Sequence, residues 1–291
     1  MQTIEREYEP TFGGRDDVLV VFSGGQDSTL CLFWALEHYA GTVHAVTFNY
    51  GQRHSAELVA AGRIVELAKA WYPEKFGTHE VVNLGPILKG TSPLVSGADL
   101  EQYADHASLP GGLEKTFVPM RNQLFLTLAA NRAFCLGIDT VVTGVCQEDF
   151  GGYPDCRRSF IDRLASATSE GTFTEEAGFI GGFAIETPLM DLTKAESVNY
   201  ARTAYRHAYT AWAYSHTAYD GRYPPLGHDH ANLLRAKGFE EAGVPDPLVV
   251  RAALIDYVMP LPDTDNYTSA LAEAEIERLL ADLPRDPLVA A

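Results

Sequence analysis

Two polar, glycine-bearing strings hold most of the side chains in this sequence that could do chemistry. The first is Ser23-Gly-Gly-Gln-Asp-Ser-Thr29. Gly24 and Gly25 let an anion come close to the backbone, and Ser23 and Ser28 add hydroxyl donors. Asp27 is the residue type that holds a magnesium ion whose charge offsets phosphates. The second string is Gly144-Val-Cys-Gln-Glu-Asp-Phe-Gly-Gly-Tyr-Pro-Asp-Cys-Arg157. Tyr153 can stack on a heteroaromatic ring, Asp155 can hydrogen-bond its edge, and the Arg157 fork suits a carboxylate. Cys156 sits in the middle of that set. The alternative for this string is a structural turn. Its polar density among glycines excludes a core segment.

The elements that must position these strings alternate. Val18–Phe22 is an unbroken apolar run, read as a strand buried on both faces. An apolar-periodic run then begins at Ser28 or Thr29 and passes through Leu30, Phe33, Trp34 and Leu36, the pattern of a helix. Strand, glycine turn and helix N-terminus together make an anion site, because unpaired amides and the positive end of the helix dipole converge there. No Gly-Lys-Ser/Thr follows, so this is not a Walker loop. Val43–Phe48 predicts a second strand, and a helix follows with Leu58, Val59, Ile64, Val65, Leu67 and Ala68 on its apolar stripe. Glu80–Leu84 predicts a third strand, 85–117 a long loop or lid, and Asn122–Leu136 a helix. Ile138–Gly144 predicts a fourth strand, Phe183–Glu186 a weaker fifth, and Lys194–Tyr205 a helix. This order predicts an α/β fold, a parallel sheet with helices on both faces and ligands at the carboxyl ends of the strands.

Composition narrows the function classes. A formal charge of -17 argues against a protein that grips DNA or RNA by its backbone, but leaves small nucleotides open. No apolar run approaches a membrane span, and Glu5, Arg6, Glu7 and Glu9 leave no signal-peptide core in the leader, residues 1–16. Cys31, Cys135, Cys146 and Cys156 have no paired spacing and read as free thiols of a cytoplasmic protein. The expected organisation is an α/β domain over 17–213, a distinct segment over 214–243 and a helical extension over 244–291. An amphipathic helix near Leu271–Leu283 in that extension could cap the core or pair two chains as a homodimer.

The first string, after its buried strand, resembles the pyrophosphatase loop of the N-type ATP pyrophosphatases, which have the adenine-nucleotide alpha hydrolase fold. Those enzymes cleave ATP between the α and β phosphates and leave AMP on a substrate. Tyr153-Pro-Asp-Cys-Arg157 with Gly144-Val-Cys146 resembles the signature of the 7-cyano-7-deazaguanine synthase family, nitrile-forming enzymes of queuosine biosynthesis. Val46–His54 is similar to that family's second-strand motif. Thr116-Phe-Val-Pro-Met-Arg-Asn122, with Phe125 and Leu126, resembles its Val-Pro-Gly-Arg-Asn motif, with Met120 in place of glycine. Thr187–Leu189, Thr193–Glu196 and Leu233–Phe239 also match in order, so the resemblance spans residues 17–243.

The resemblance implies an enzyme that activates 7-carboxy-7-deazaguanine with ATP, makes an amide with ammonia, then activates the amide and expels its oxygen as AMP. It implies that Ser23, Gly24, Gly25, Gln26, Asp27, Ser28 and Thr29 bind ATP, with magnesium on Asp27. Arg121 and Lys194 become candidates for phosphate or carboxylate contacts, with surface salt bridges the plainer alternative. Tyr153, Asp155, Cys156 and Arg157 become candidates for the deazaguanine. Cys156 is poorly suited to covalent catalysis, since acyl phosphates react with amines directly.

One segment departs from the family. Alignment on Tyr219 and Arg235 puts Ala218, Leu226, Asp229 and Asn232 where the family has four zinc-binding cysteines. No zinc is therefore expected; His216, His228, Asp229 and His230 lie nearby and read as solvated loop residues, with a metal site of their own as the alternative. Apolar packing around Tyr219, Tyr223 and Leu226 is the expected substitute for the metal. Three functions remain: a deazaguanine synthase, a ligase that couples the same carboxylate to another amine (on a partner protein, for example) and stops at the amide, and a non-catalytic nucleotide-binding module.

Overall fold

The computed structural model describes residues 16–51, 56–88, 92, 117–147, 153–217, 230–254 and 281. Its centre is a five-stranded, all-parallel sheet: β1 (Val18–Val21), β2 (Val43–Asn49), β3 (Phe76–Asn83), β4 (Thr140–Val142) and β5 (Ala184–Glu186), in the order β3-β2-β1-β4-β5. Parallel strands need crossovers, and the helices supply them: α1 (Gln26–His38), α2 (Ala56–Trp71), α3 (Arg121–Leu136) and α4 (Arg158–Gly171). α5 (Lys194–Ala204), α6 (Arg206–Ala211), α7 (His230–Ala242) and α8 (Pro247–Leu254) follow β5.

Side-chain alternation divides the core. In β1, Val18 and Val20 point to one face and Leu19 to the other. The first face packs against α1, α2, α5 and α6, with Phe33, Trp34, Tyr209 and Trp212 fully buried there. The second packs against α3 and α4 through Leu126, Ala129, Ala133 and Ile161. A sheet buried on both faces explains why β1 reads as an unbroken apolar run.

The predicted elements hold, with corrections at their edges. α1 starts at Gln26, ahead of the apolar run, because Gly25 takes the extended N-cap conformation and the opening turn is polar. β3 begins at Phe76 and is half exposed as an edge strand, so its first residues alternate too weakly to be read. β4 is three residues long. On α2, Ile64, Val65, Leu67 and Ala68 are buried as expected, but at its start Val59 is 55% exposed and Ala60 and Ala61 are buried instead. All four cysteines are free thiols, with Cys135 exposed and the others buried. No helix of the described residues is long and apolar enough to cross a membrane. Residues 1–15, 52–55, 89–91, 93–116, 148–152, 218–229, 255–280 and 282–291 lie outside the described residues, and with them nearly all of the expected leader and most of the expected lid and C-terminal helix.

Candidate active site

A cleft of about 360 Å³ opens at the carboxyl ends of β1 and β4, the neighbours at which the strand order reverses. The loop after β1 forms one wall. Gly24 has φ +85, and a Cβ there would lie 2.6 Å from Ala61 N and 2.8 Å from Glu57 O, so glycine is what lets α2 approach the loop. The loop is closed on itself. Ser23 N–H donates to Ser28 Oγ at 3.2 Å, the two serine hydroxyls are 3.0 Å apart, and Thr29 Oγ1 donates to Gly25 O at 2.7 Å. Ser23, Gly25, Gln26, Asp27 and Ser28 line the cleft, whereas Gly24 and the fully buried Thr29 shape the loop from behind. The opening turn of α1 faces the same space, and the first amides of a helix have no intrahelical acceptor.

Asp27 meets Lys194 across the cleft, Nζ to Oδ2 at 2.6 Å. These residues are 167 apart in sequence, and two local devices fix the lysine. A capping box between Thr193 and Glu196 starts α5 with Lys194 as its first residue. Gly238 of α7 lies so near that a Cβ there would come within 2.8 Å of Lys194 Cβ.

The facing wall comes from α3 and the segment before α4. Arg121, Asn122, Tyr153 and Cys156 line it. Asn122 ties them together: its backbone N–H donates to Asp155 Oδ2 at 3.2 Å, and its side chain donates to Cys156 Sγ at 3.2 Å. Asp155 is 7% exposed, and its Oδ1 is buried with no partner among the described residues. Burial raises its pKa, against the pull of the Asn122 amide and the Arg121 charge. Tyr153 packs on Phe117 with ring centroids 5.2 Å apart. Arg157 is different. A 3₁₀ turn over Pro154–Cys156 buries Asp155 and Cys156 and turns Arg157 outward, where it borders a separate outer hollow with Arg158 and Asp162.

Several cleft residues escape the sequence reading. Glu57, in the first turn of α2, lines the wall beside the phosphate-type loop. Burial raises its pKa and the Arg121 charge lowers it. Tyr50 hydrogen-bonds Arg121, and burial raises the phenol. Phe48 stacks on Phe125 at 4.8 Å, with Tyr50 5.2 Å from the same ring, so the cleft has an aromatic floor. His216 is 6% exposed and lines the cleft, contrary to the expectation of a solvated loop histidine, and its backbone N–H donates to Gly24 O at 3.1 Å. Glu57 carried a faint signal, an acid at a helix start. His216 carried none.

That histidine belongs to a strap, Trp212–Thr217, which holds the loop from outside. Trp212 Nε1 donates to Gln26 O at 2.8 Å. The strap is anchored in turn by Arg235 of α7. The guanidinium forks onto Asp246 at 2.6 and 2.8 Å and donates to Ser215 Oγ and Thr217 Oγ1, both at 2.8 Å. Of the four positions aligned with the family cysteines, Ala218, Leu226 and Asp229 lie outside the described residues, as do Tyr219, Tyr223 and the His228 and His230 side chains; Asn232 is buried on α7.

Among the described residues, no group of three or more His, Cys, Asp or Glu side chains is placed to hold a metal ion. The cleft still suits magnesium carried in by a phosphate ligand. Such an ion needs one or two carboxylate oxygens besides phosphates and water, and Asp27 keeps one oxygen beyond its contact with Lys194.

The model of the family described as "Queuosine biosynthesis protein QueC" matches residues 17–243. A 7-cyano-7-deazaguanine synthase of Gloeobacter violaceus is 53% identical over 231 residues, covering 79% of this chain and 94% of the relative. One from Chromobacterium violaceum is 45% identical over 241 residues, covering 81% and 94%. A solved U34-tRNA thiolase of Methanococcus maripaludis aligns over 93% of this chain and 76% of its own at 14% identity, with a TM-score of 0.35, too loose a likeness to bear on function. The match covers both strings and every strand between them: this chain belongs to the queuosine biosynthesis protein QueC family.

Proposed function

We propose that this protein is an ATP-dependent carbon–nitrogen ligase. It joins AMP to the carboxylate of 7-carboxy-7-deazaguanine, releases pyrophosphate, and lets ammonia displace AMP to give the amide. A second ATP then activates the amide oxygen, and its loss as AMP gives 7-cyano-7-deazaguanine. The observation that carries this reading is the meeting of the Ser23–Ser28 loop and the Asp27–Lys194 pair with the Arg121–Asn122–Tyr153–Cys156 wall in one cleft. The loop amides and hydroxyls meet the phosphates, and Lys194 and Arg121 offset their charge; Asp27 would hold a magnesium ion, which would supply further positive charge against the phosphates. Asp155 Oδ1 accepts from the amino and ring N–H groups of the base, beside Tyr153. Arg121, the guanidinium on the cleft wall, takes the carboxylate-facing part expected of Arg157.

A second reading is supported by the absence of thiolates at 218, 226, 229 and 232. In it, the same activated carboxylate is passed to another amine, for example on a partner protein, and the amide is the final product. Mass spectrometry of products from ATP, 7-carboxy-7-deazaguanine and ammonium separates the two. The nitrile is the expected product; an amide that accumulates and is never consumed favours the second reading, and the absence of both nitrile and amide overturns the first.

A further inference from the structure

Ammonia reaches a neutral-pH enzyme mostly as ammonium, which has no lone pair to attack with. Resting on the reading above, we propose that Glu57 is the general base that takes the proton from ammonium inside the cleft. It is a carboxylate on the cleft wall whose own backbone lies against Gly24, so its helix turn is fixed to the loop expected to hold the phosphates. The other acids near the cleft are committed elsewhere. Asp27 is held by Lys194 at 2.6 Å, and Asp155, which accepts from the Asn122 amide through Oδ2, is the acid assigned above to the base. The Tyr50 phenol has a raised pKa, so it keeps its proton and is no base. The charged and titratable groups that act on Glu57 are Arg121 of α3 and Tyr50, just after β2. Burial raises the Glu57 pKa toward the operating pH, which makes its carboxylate a better proton acceptor.

The step balances. Ammonium gives one proton to the Glu57 carboxylate, and the freed lone pair forms the C–N bond at the activated carbonyl carbon. The C–O bond to AMP breaks with its electron pair leaving on the phosphate oxygen. The second N–H proton passes to water, and Glu57 later releases its proton to water as well.

Glu57→Gln tests this with two partial reactions. Carboxylate-dependent exchange of labelled pyrophosphate into ATP needs only the first activation and should be kept, with an unchanged melting temperature. Amide formation from ammonium should fall by at least about a hundredfold, the usual contribution of a general base. Hydroxylamine, already neutral at neutral pH, should still be acylated at close to the parent rate. Unchanged amide formation from ammonium overturns the assignment. So does a fall in exchange equal to the fall in amide formation, since Glu57 would then act by holding Arg121 or ATP. If the parent protein shows no exchange at all, the adenylation reading itself fails and this proposal falls with it.

Discussion

Two ion pairs of equal length do different work in this molecule. Asp27–Lys194 and Asp246–Arg235 both close at 2.6 Å. The second is sealed, with side chains 2% and 1% exposed, and the guanidinium is further satisfied by Ser215, Thr217 and the Trp212 carbonyl. The first is 13% and 26% exposed and stands in the cleft, and Asp27 keeps an oxygen beyond the contact. A pair with all its hydrogen bonds filled by protein is a staple. A pair left open in a cleft is available to a ligand. Asp246–Arg235 fixes the strap, and the strap fixes the loop that carries Asp27, so the sealed pair holds the open one in place.

The largest expected effect comes from breaking the staple. Asp246→Ala leaves a buried guanidinium without its counter-charge and should cost about 3–5 kcal/mol of stability, read by urea unfolding. Replacing both partners, Arg235→Met with Asp246→Leu, should restore most of that stability, because no buried charge is stranded. If both proteins unfold alike, the pair is no staple.

A third acid sharpens the comparison by having no ion pair among the described residues. Glu186, at the end of β5, is 3% exposed with Oε2 unpartnered, and burial pushes its pKa up to about 7, against a pull from the Tyr39 hydroxyl. Because the folded state holds its proton more tightly than the unfolded chain, this group penalises folding only once it must ionise. Stability should therefore fall between about pH 4.5 and pH 8, by on the order of 3 kcal/mol. Glu186→Gln should flatten that part of the pH–stability curve. An unchanged slope would move the titration to another group.

Breaking the open pair should have the opposite signature to breaking the staple. Asp27→Ala is expected to reduce turnover by on the order of a hundredfold or more while the melting temperature stays nearly constant. A loss of stability matching that of Asp246→Ala would erase the distinction between the two pairs.

What the sequence disclosed, and what it hid, follows the same division between local and distant structure. The β1–loop–α1 unit was legible because its strand, its glycines and its hydroxyls are contiguous, and each makes its contacts within a few residues. Asp27 with Lys194 was named as two separate candidates, since nothing local says that a capping box and Gly238 bring them together. Glu57 and His216 were missed or misread because their placement depends on α2 and the strap docking against Gly24. Arg157 was expected at the base pocket. Its outward turn is set by the 3₁₀ geometry of Pro154–Cys156, which buries Asp155 and Cys156 and leaves Pro154 and Arg157 exposed, a division that composition does not reveal.

Met120 is the smallest test and joins the two kinds of information. Its replacement of the family glycine was visible in the sequence; the structure shows why glycine suits the place. It has φ 66 and ψ 7 as the N-cap of α3, immediately before Arg121, and its side chain is 57% exposed. A left-handed conformation strains a side-chain-bearing residue by about 1–2 kcal/mol. Met120→Gly should therefore stabilise the protein by about 0.5–1 kcal/mol after the glycine entropy cost. Met120→Ala keeps the strain and should give no gain.

The central claim is that this cleft activates a carboxylate by joining it to AMP. It is tested most directly by following the oxygen that leaves. With 7-carboxy-7-deazaguanine labelled with oxygen-18 in its carboxylate, ATP and ammonium, the account predicts pyrophosphate without label and AMP carrying oxygen-18 in its phosphate. Unlabelled AMP, or ADP with the label in orthophosphate, would contradict it.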